Sequence, residues 1–324
     1  MRPFRSALAC AAVTTLAGAG CAAAPAGSTA PPHSPGTAPA AAGSVIGQIR
    51  VGDYPDGILA AFGSLWTANL NSGSVSRIDP AARRITATIA VPQGPISLLA
   101  AAGSIWAADY NGTTVTRIDP ARNRVTATIR VGAKPVSLLR SGGDLWVFNQ
   151  GDDTATVVKL STATVVRTVR TGVAAGFAAP GNGLLWVPDF QGGSQRVLAL
   201  NPLTGTVERR VQAGAQPVNV SFGAGSGWTG NGPADSVTRF DPATGAVQHT
   251  IRTPADAGTV LAAGGSVWVT SYLGDELVRI STATNSVTGT VRLGSEPNGV
   301  VVLGGYLWVT ESGSNQVAVI RPAG

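Results

Sequence analysis

The sequence predicts an all-β fold: a seven-bladed β-propeller of four-stranded antiparallel blades, closed by an N-terminal strand that completes the last blade. Three observations predict it. Seven tryptophans, Trp66, Trp106, Trp146, Trp186, Trp228, Trp268 and Trp308, recur at intervals of 40 residues, with a single interval of 42. Each sits in a copy of one segment, of which GSIWAADYNGTTVTRIDPARNRVTATIRVGAKP at Gly103–Pro135 is the clearest. A period near 40 with strand-type composition belongs to radial arrays of four-stranded sheets. The two ends of the array are also complementary. The last copy stops at Ile320-Arg321-Pro322, where a third strand finishes, and it has no fourth; VIGQIRVG at Val45–Gly52 matches fourth strands such as VTATIRVG at Val125–Gly132. Pairing the two closes the ring and removes the free edges that a linear array would leave.

Within the second copy, Pro95–Ala100 and Ser104–Ala108 are predicted as strands one and two around a Gly turn. Thr114–Ile118 and Val125–Val131 follow as strands three and four, rich in Val, Ile and Thr with period-two alternation. Between them Asp119-Pro120 starts a turn, because the carboxylate accepts backbone hydrogens while Pro fixes φ. Asp79, Asn201 and Asp241 occupy the same place, a structural one. The tryptophans, one per second strand, are expected to pack between neighbouring blades.

Composition agrees. Charged residues make up only 12% of the chain and Gly numbers 42, which suits many short strands joined by tight turns. The first 21 residues, MRPFRSALACAAVTTLAGAGC, read as an export signal: a basic start, an apolar run too short to span a membrane, and small residues before Cys21. Gly18-Ala19-Gly20-Cys21 resembles a bacterial lipobox, with Gly18 where Leu is preferred. That implies acylation of Cys21, with ordinary cleavage and secretion as the alternative. The expected location is therefore the extracytoplasmic side of the cell membrane, reached through a lipid anchor only, or the medium. Residues 22–44, dominated by Pro, Ala, Ser and Gly, are expected to form a disordered tether, leaving 45–324 for the ring. No cysteine follows Cys21, so disulfides, thiol catalysis and cysteine–metal sites are excluded from the ring.

The segment WVTSYLGDELVRISTATNSVTGTVRLGSEPNGV, beginning at Trp268, is similar to the YVTN-type (YncE-like) β-propeller repeat and to the repeats of streptogramin B lyases. The likeness extends over residues 45–324 and implies the fold; propellers host enzymes, sensors and scaffolds alike. The lyase resemblance implies histidines on one face working with a carboxylate and Mg²⁺ to eliminate across an ester. Of the two histidines here, His33 falls in the tether and His249 in an outer fourth strand, so no catalytic residue of that family carries over. No catalytic residue, cofactor or metal ligand is assigned; the alternative is a metal-dependent lyase or hydrolase that uses carboxylates instead.

In such a ring the loops from strand two to three, and from strand four to the next strand one, share one face, here called upper. Three residues after each Trp come Asn69, Asp109, Asn149, Asp189, Asn231, Ser271 and Glu311, polar in every blade. Four after it stand Tyr110, Phe190 and Tyr272, among others. The candidate ligand-binding set is Asn69, Asp109, Tyr110, Asn149, Asp189, Phe190, Asn231, Tyr272 and Glu311, with turn capping by Asn and Asp as the competing role. Eleven before the Trp, Pro55, Pro95, Pro135, Pro217 and Pro297 shape the start of five inner strands. Two extra residues are read in the upper loops of blades three and four, at 149–156 and 189–196, as a lip over the opening.

Charge divides by register. The upper loops hold twelve of the 17 acids, Asp56, Asp235, Asp256, Asp275 and Glu296 among them, against a single base, Lys134. Arginines run along strands three (Arg77, Arg117, Arg239, Arg279) and four (Arg50, Arg130, Arg170, Arg252, Arg292), where their stems are expected to shield apolar blade surface. Some YVTN-type propellers are associated with DNA, but phosphate binding needs clustered cations, which an acidic mouth lacks. The expected partner is a cationic or polyol small molecule, or a protein, at the upper face of a monomer.

Overall fold

A computed structural model describes residues 40–191 and 193–324; the expected signal, Cys21 and the tether as far as residue 39, with His33, lie outside the described residues. The ring consists of seven four-stranded antiparallel sheets. In blade two the strands are Pro95–Ala101, Ser104–Asp109, Thr114–Asp119 and Arg124–Arg130, each paired with the next. The first strand of every blade touches those of both neighbours, and blade seven meets blade one, so the sheets stand radially around an axis. Five of these inner strands begin at the predicted prolines. The third-to-fourth turns are capped as expected: Asp79 Oδ1 accepts the N–H groups of Ala81 (2.9 Å) and Ala82 (3.0 Å).

The ring closes as the two ends predict. Gly43–Arg50 pairs antiparallel with Gln316–Pro322, Gly43 opposite Pro322 and Arg50 opposite Gln316. The boundary of the tether moves, however. Gly43 and Ser44 already belong to the closing strand, and residues 40–42 lie along the outer strand of blade six, Ser286–Arg292. There the Ala42 N–H donates to the Thr290 carbonyl and the Thr290 N–H to that of Ala40, both at 3.0 Å. A Cβ on Gly289 would overlap the Ala40 carbonyl oxygen. The Ala-rich composition that suggests a tether also suits close backbone approach, which is its use at 40–42.

The tryptophans are all buried between blades. Trp66 packs on Ile105, Ala107 and Ile118 of blade two, and Trp228 on Val267, Val269, Val278 and Ile280 of blade six. The strand-three arginines do more than shield. Arg239 lies 4.8 Å from the Trp228 ring centroid, and its Nε donates to Ser226 Oγ (2.9 Å). Its Nη1 reaches across to the Thr282 carbonyl (2.8 Å) and Asn285 Oδ1 (2.7 Å) of blade six. Arg77 repeats this from blade one to blade two. In blade three the arrangement is rewritten: Lys159 pairs with Asp144 (2.8 Å), and Arg167 of strand four covers Trp146 (5.2 Å).

Candidate functional site

At the upper end the backbone builds a repeated clasp. The N–H four residues after each tryptophan donates to the carbonyl twelve before it, from Leu70 to Tyr54 (2.9 Å) round to Ser312 to Glu296 (2.9 Å). Six of the seven acceptor residues have positive φ, and only Gly94 is a glycine; Tyr54 stands at 54°, Lys134 at 50°, Asp256 at 59° and Glu296 at 57°. Left-handed backbone costs a residue with a Cβ about 1–2 kcal/mol. Side-chain caps hold it: Asn315 Oδ1 accepts the Tyr54 N–H (2.9 Å), Asp235 Oδ1 that of Asp256 (2.7 Å) and Asp275 Oδ1 that of Glu296 (3.1 Å). Large polar side chains kept where glycine would cost less mark this rim as a place where function is to be sought.

Six of the nine predicted site residues turn away from it. Asn69, Asp109, Asn149, Asp189, Asn231 and Glu311 are at most 3% exposed and bond within their own blades. Asn69 Nδ2 donates to Ser74 Oγ (3.1 Å) and Ser76 Oγ (2.9 Å), and Asn149 and Asn231 do the same to their third strands. Asp109 Oδ2 accepts from Thr114 (2.6 Å) and Thr116 (2.8 Å). Asp189 accepts from Ser194 and from the Ala174 N–H, and Glu311 accepts from the Gly294 N–H (2.7 Å) and Gln316. In six of the seven blades the repeated polarity is a hairpin clasp facing strand three rather than the axis, while Ser271 in blade six donates to the Ala255 carbonyl. Tyr110, Phe190 and Tyr272, one residue further on, remain at the rim.

The clasp makes a prediction. Burial pushes the Asp109 carboxyl up to about 6 against the pull of both threonine hydroxyls, and its Oδ1 has no partner among the described residues. Its folded value lies above its unfolded 3.8, so the folded state holds the proton more tightly and stability falls as pH rises between the two, the full penalty applying above 6. Asp109→Asn, which copies Asn69, Asn149 and Asn231, should add about 2 kcal/mol at pH 7.5 and converge with the parent near pH 4. Thermal unfolding of both proteins from pH 4 to 8 checks it.

The groups that do meet at the mouth come from blades six, seven, one and two. Tyr272 donates to Glu296 Oε2 (3.0 Å) and lies 2.7 Å, Oη to Oη, from Tyr54. Tyr272 has one hydroxyl hydrogen, so Tyr54 must donate to it. Asp56, at the start of the inner strand Pro55–Ala61, accepts from Asn298 Nδ2 on Oδ2 (3.0 Å). Burial, outweighing that bond, raises its carboxyl to about 7. Burial also lifts Tyr54 and Tyr110 above the usual phenol range, and the nearby Asp56 adds to both. Tyr272 is lifted the same way, by burial first and then by its bond to Tyr54. The backbone under Asp56 is clamped: Thr310 Oγ1 donates to its carbonyl (2.7 Å), Ser312 Oγ to that of Pro55 (2.7 Å), and a Cβ on Gly299 would sit 2.7 Å from it. Reading by repeat passes over Tyr54 and Asn298, since their registers change residue type from blade to blade. That variation within a constant frame is the signal that finds them.

Two expectations need correction. The strand-four arginines also stand at the upper end, each level with a clasp residue in one transverse row, as in Asp109–Thr114–Arg130 and Ser271–Glu276–Arg292. The acidic mouth therefore has an exposed basic outer rim, which counting loop residues alone does not reveal. Nor do blades three and four form a joint lip. The third strand of blade three starts in ordinary register at Thr154, opposite Asn149, so the two extra residues belong to blade four, whose third strand starts at Arg196.

Among the described residues there is one histidine. His249 is exposed on the outer strand Val247–Arg252, and among the described residues no three His, Cys, Asp or Glu side chains converge as a metal site.

No protein-family model matches the chain, and no curated protein matches it in sequence. Solved structures do. A streptogramin B lyase structure aligns with TM-score 0.75 at 16% identity, over 86% of this chain and 97% of that one. A selenomethionine-substituted virginiamycin B lyase from Staphylococcus aureus aligns with TM-score 0.75 at 14% identity, over 86% and 99%. The hydrazine synthase of Kuenenia stuttgartiensis gives 0.70 at 16% identity, over 83% and 96%. At such identities the likeness concerns the fold alone: this chain is a seven-bladed β-propeller, built like the streptogramin B lyases.

Proposed function

We propose that the chain is an exported, lipid-anchored propeller of the YVTN type, a non-catalytic binding module whose small-molecule ligand meets it at the upper mouth. What supports this reading is the convergence of Tyr54, Asp56, Tyr272, Glu296 and Asn298 from separate blades on one partly open site, over a clamped backbone. The leader and Cys21 support export and anchoring; Cys21→Ser should move the protein from the membrane to the soluble fraction. For the site, the test is a thermal-shift screen of amines, polyols and lactones against the parent and against Asp56→Asn/Tyr272→Phe. Ligands that stabilise only the parent are the expected result; hits that stabilise both equally would place the site elsewhere.

One observation favours a second reading, a lyase or hydrolase using carboxylates. Asp56, poised near neutrality, has the pKa of an effective general base. Turnover of a lactone or cyclic depsipeptide in the same screen, lost in the double variant, would establish it over simple binding.

A further inference from the structure

We propose that the mouth takes an organic ammonium ion that carries N–H groups, a primary or secondary alkylamine, with its head at Asp56 Oδ1, Tyr54 Oη and Asn298 Oδ1. This rests on the mouth being the binding site argued above, and names its ligand class.

The hydroxyl hydrogens of Tyr54, Tyr272 and Tyr110 are all committed inside the protein, to Tyr272, Glu296 and Gln150. Acceptors are left over: Asp56 uses Oδ2 on Asn298, and among the described residues its Oδ1 meets no donor although the residue is only 7% exposed. Asn298 Oδ1 and the lone pairs of Tyr54 are likewise unspent. A ligand must therefore bring donors. A sugar or polyol brings acceptors as well, which would lose their water and find little in return. A divalent cation wants a shell of oxygens, and no three metal-binding side chains converge among the described residues. A quaternary ammonium has no N–H to satisfy Asp56.

Two further observations point the same way. The Lys134 ammonium already lies 5.8 Å from the Tyr110 ring centroid, so one alkylammonium is held at this rim by the protein itself. In the register of Asp56, the inner strands of blades two, three and five carry Ile96, Val136 and Val218. The rest of that register is Gly176, Gly258 and Asn298, so one anionic side chain shares it with three aliphatic ones, which suits an ion with an alkyl tail.

The experiment uses the purified full chain with 1,4-diaminobutane, butylamine, tetramethylammonium and sorbitol as probes, each at about 10 mM, read by thermal unfolding and calorimetry. The two N–H amines should raise the unfolding temperature and the other two should not. Asp56→Asn should weaken amine binding about 10-fold or more, and Tyr54→Phe, which keeps the ring, by a smaller factor. Without amine, Asp56→Asn should melt at or above the parent temperature above pH 7, because it removes a buried charge; a purely structural role would show the opposite. An amine response unchanged in Asp56→Asn overturns the placement. A sorbitol response lost in Asp56→Asn, with none to amines, leaves the mouth as the binding site and overturns the ammonium assignment. Silence from all four probes overturns the ammonium assignment too, and the wider screen then judges the mouth on its own.

Discussion

A chain begun at Gly52 will fail to fold cooperatively and will aggregate. It lacks the closing strand Gly43–Arg50 and the three residues that lie along blade six. The loss removes the buried Ile49 and the half-buried Val45, Ile46 and Val51 from the cluster around Trp308, Val317 and Val319, and from its neighbour on blade six. At about 1.5 kcal/mol for each such side chain, that is about 6 kcal/mol. A domain's whole margin is about 5–15 kcal/mol. The deletion also leaves Gln316–Pro322 with an unpaired apolar edge, the feature that invites association between chains. Circular dichroism melts and size-exclusion chromatography check the result, and a peptide spanning 40–52 added in trans should restore a sharp transition. A truncated protein melting within a few degrees of the parent would show that the ring does not depend on closure.

Trp228→Ala will be the most damaging single substitution among the blade tryptophans of regular pattern, costing about 3–5 kcal/mol. The indole is fully buried between blades five and six, donates from Nε1 to the Gly223 carbonyl (3.1 Å), and carries Arg239 on its face. Arg239→Ala should cost about 1–2 kcal/mol, since it removes bonds to Ser226, the Thr282 carbonyl and Asn285 along with the ring contact. Lysine should not restore it, because an ammonium cannot present that planar set of donors. The double variant should cost less than the sum, since each single change already breaks the shared contact. Urea titrations of the four proteins measure this. An additive result would mean that the guanidinium and the indole are only neighbours.

These two cases mark what was readable in advance. The blade boundaries, the prolines opening the inner strands and the pairing of the two ends all follow from a repeat that the backbone obeys in every copy. The candidate site was less legible, for the same reason. Residues that recur from blade to blade, such as Asn69, Asn149 and Asn231, are alike because their blades need them for their own hairpins. Tyr54 and Asn298 serve one place on the ring only, so no period exposes them; the left-handed backbone at Tyr54 does. Ala40–Ala42 were unreadable because small residues serve a tether and a close strand contact equally well.

The seam between Gly43 and Pro322 also sets an order of events. Of the ring's own strands, the one synthesised first is partnered by the one synthesised last, so the seventh sheet cannot be completed until Gln316–Pro322 has been delivered. Until then the last sheet lacks its outer strand and has a bare margin. Such distant pairing slows folding, and it makes the interval before the ends meet the moment when this protein most needs protection from its own copies.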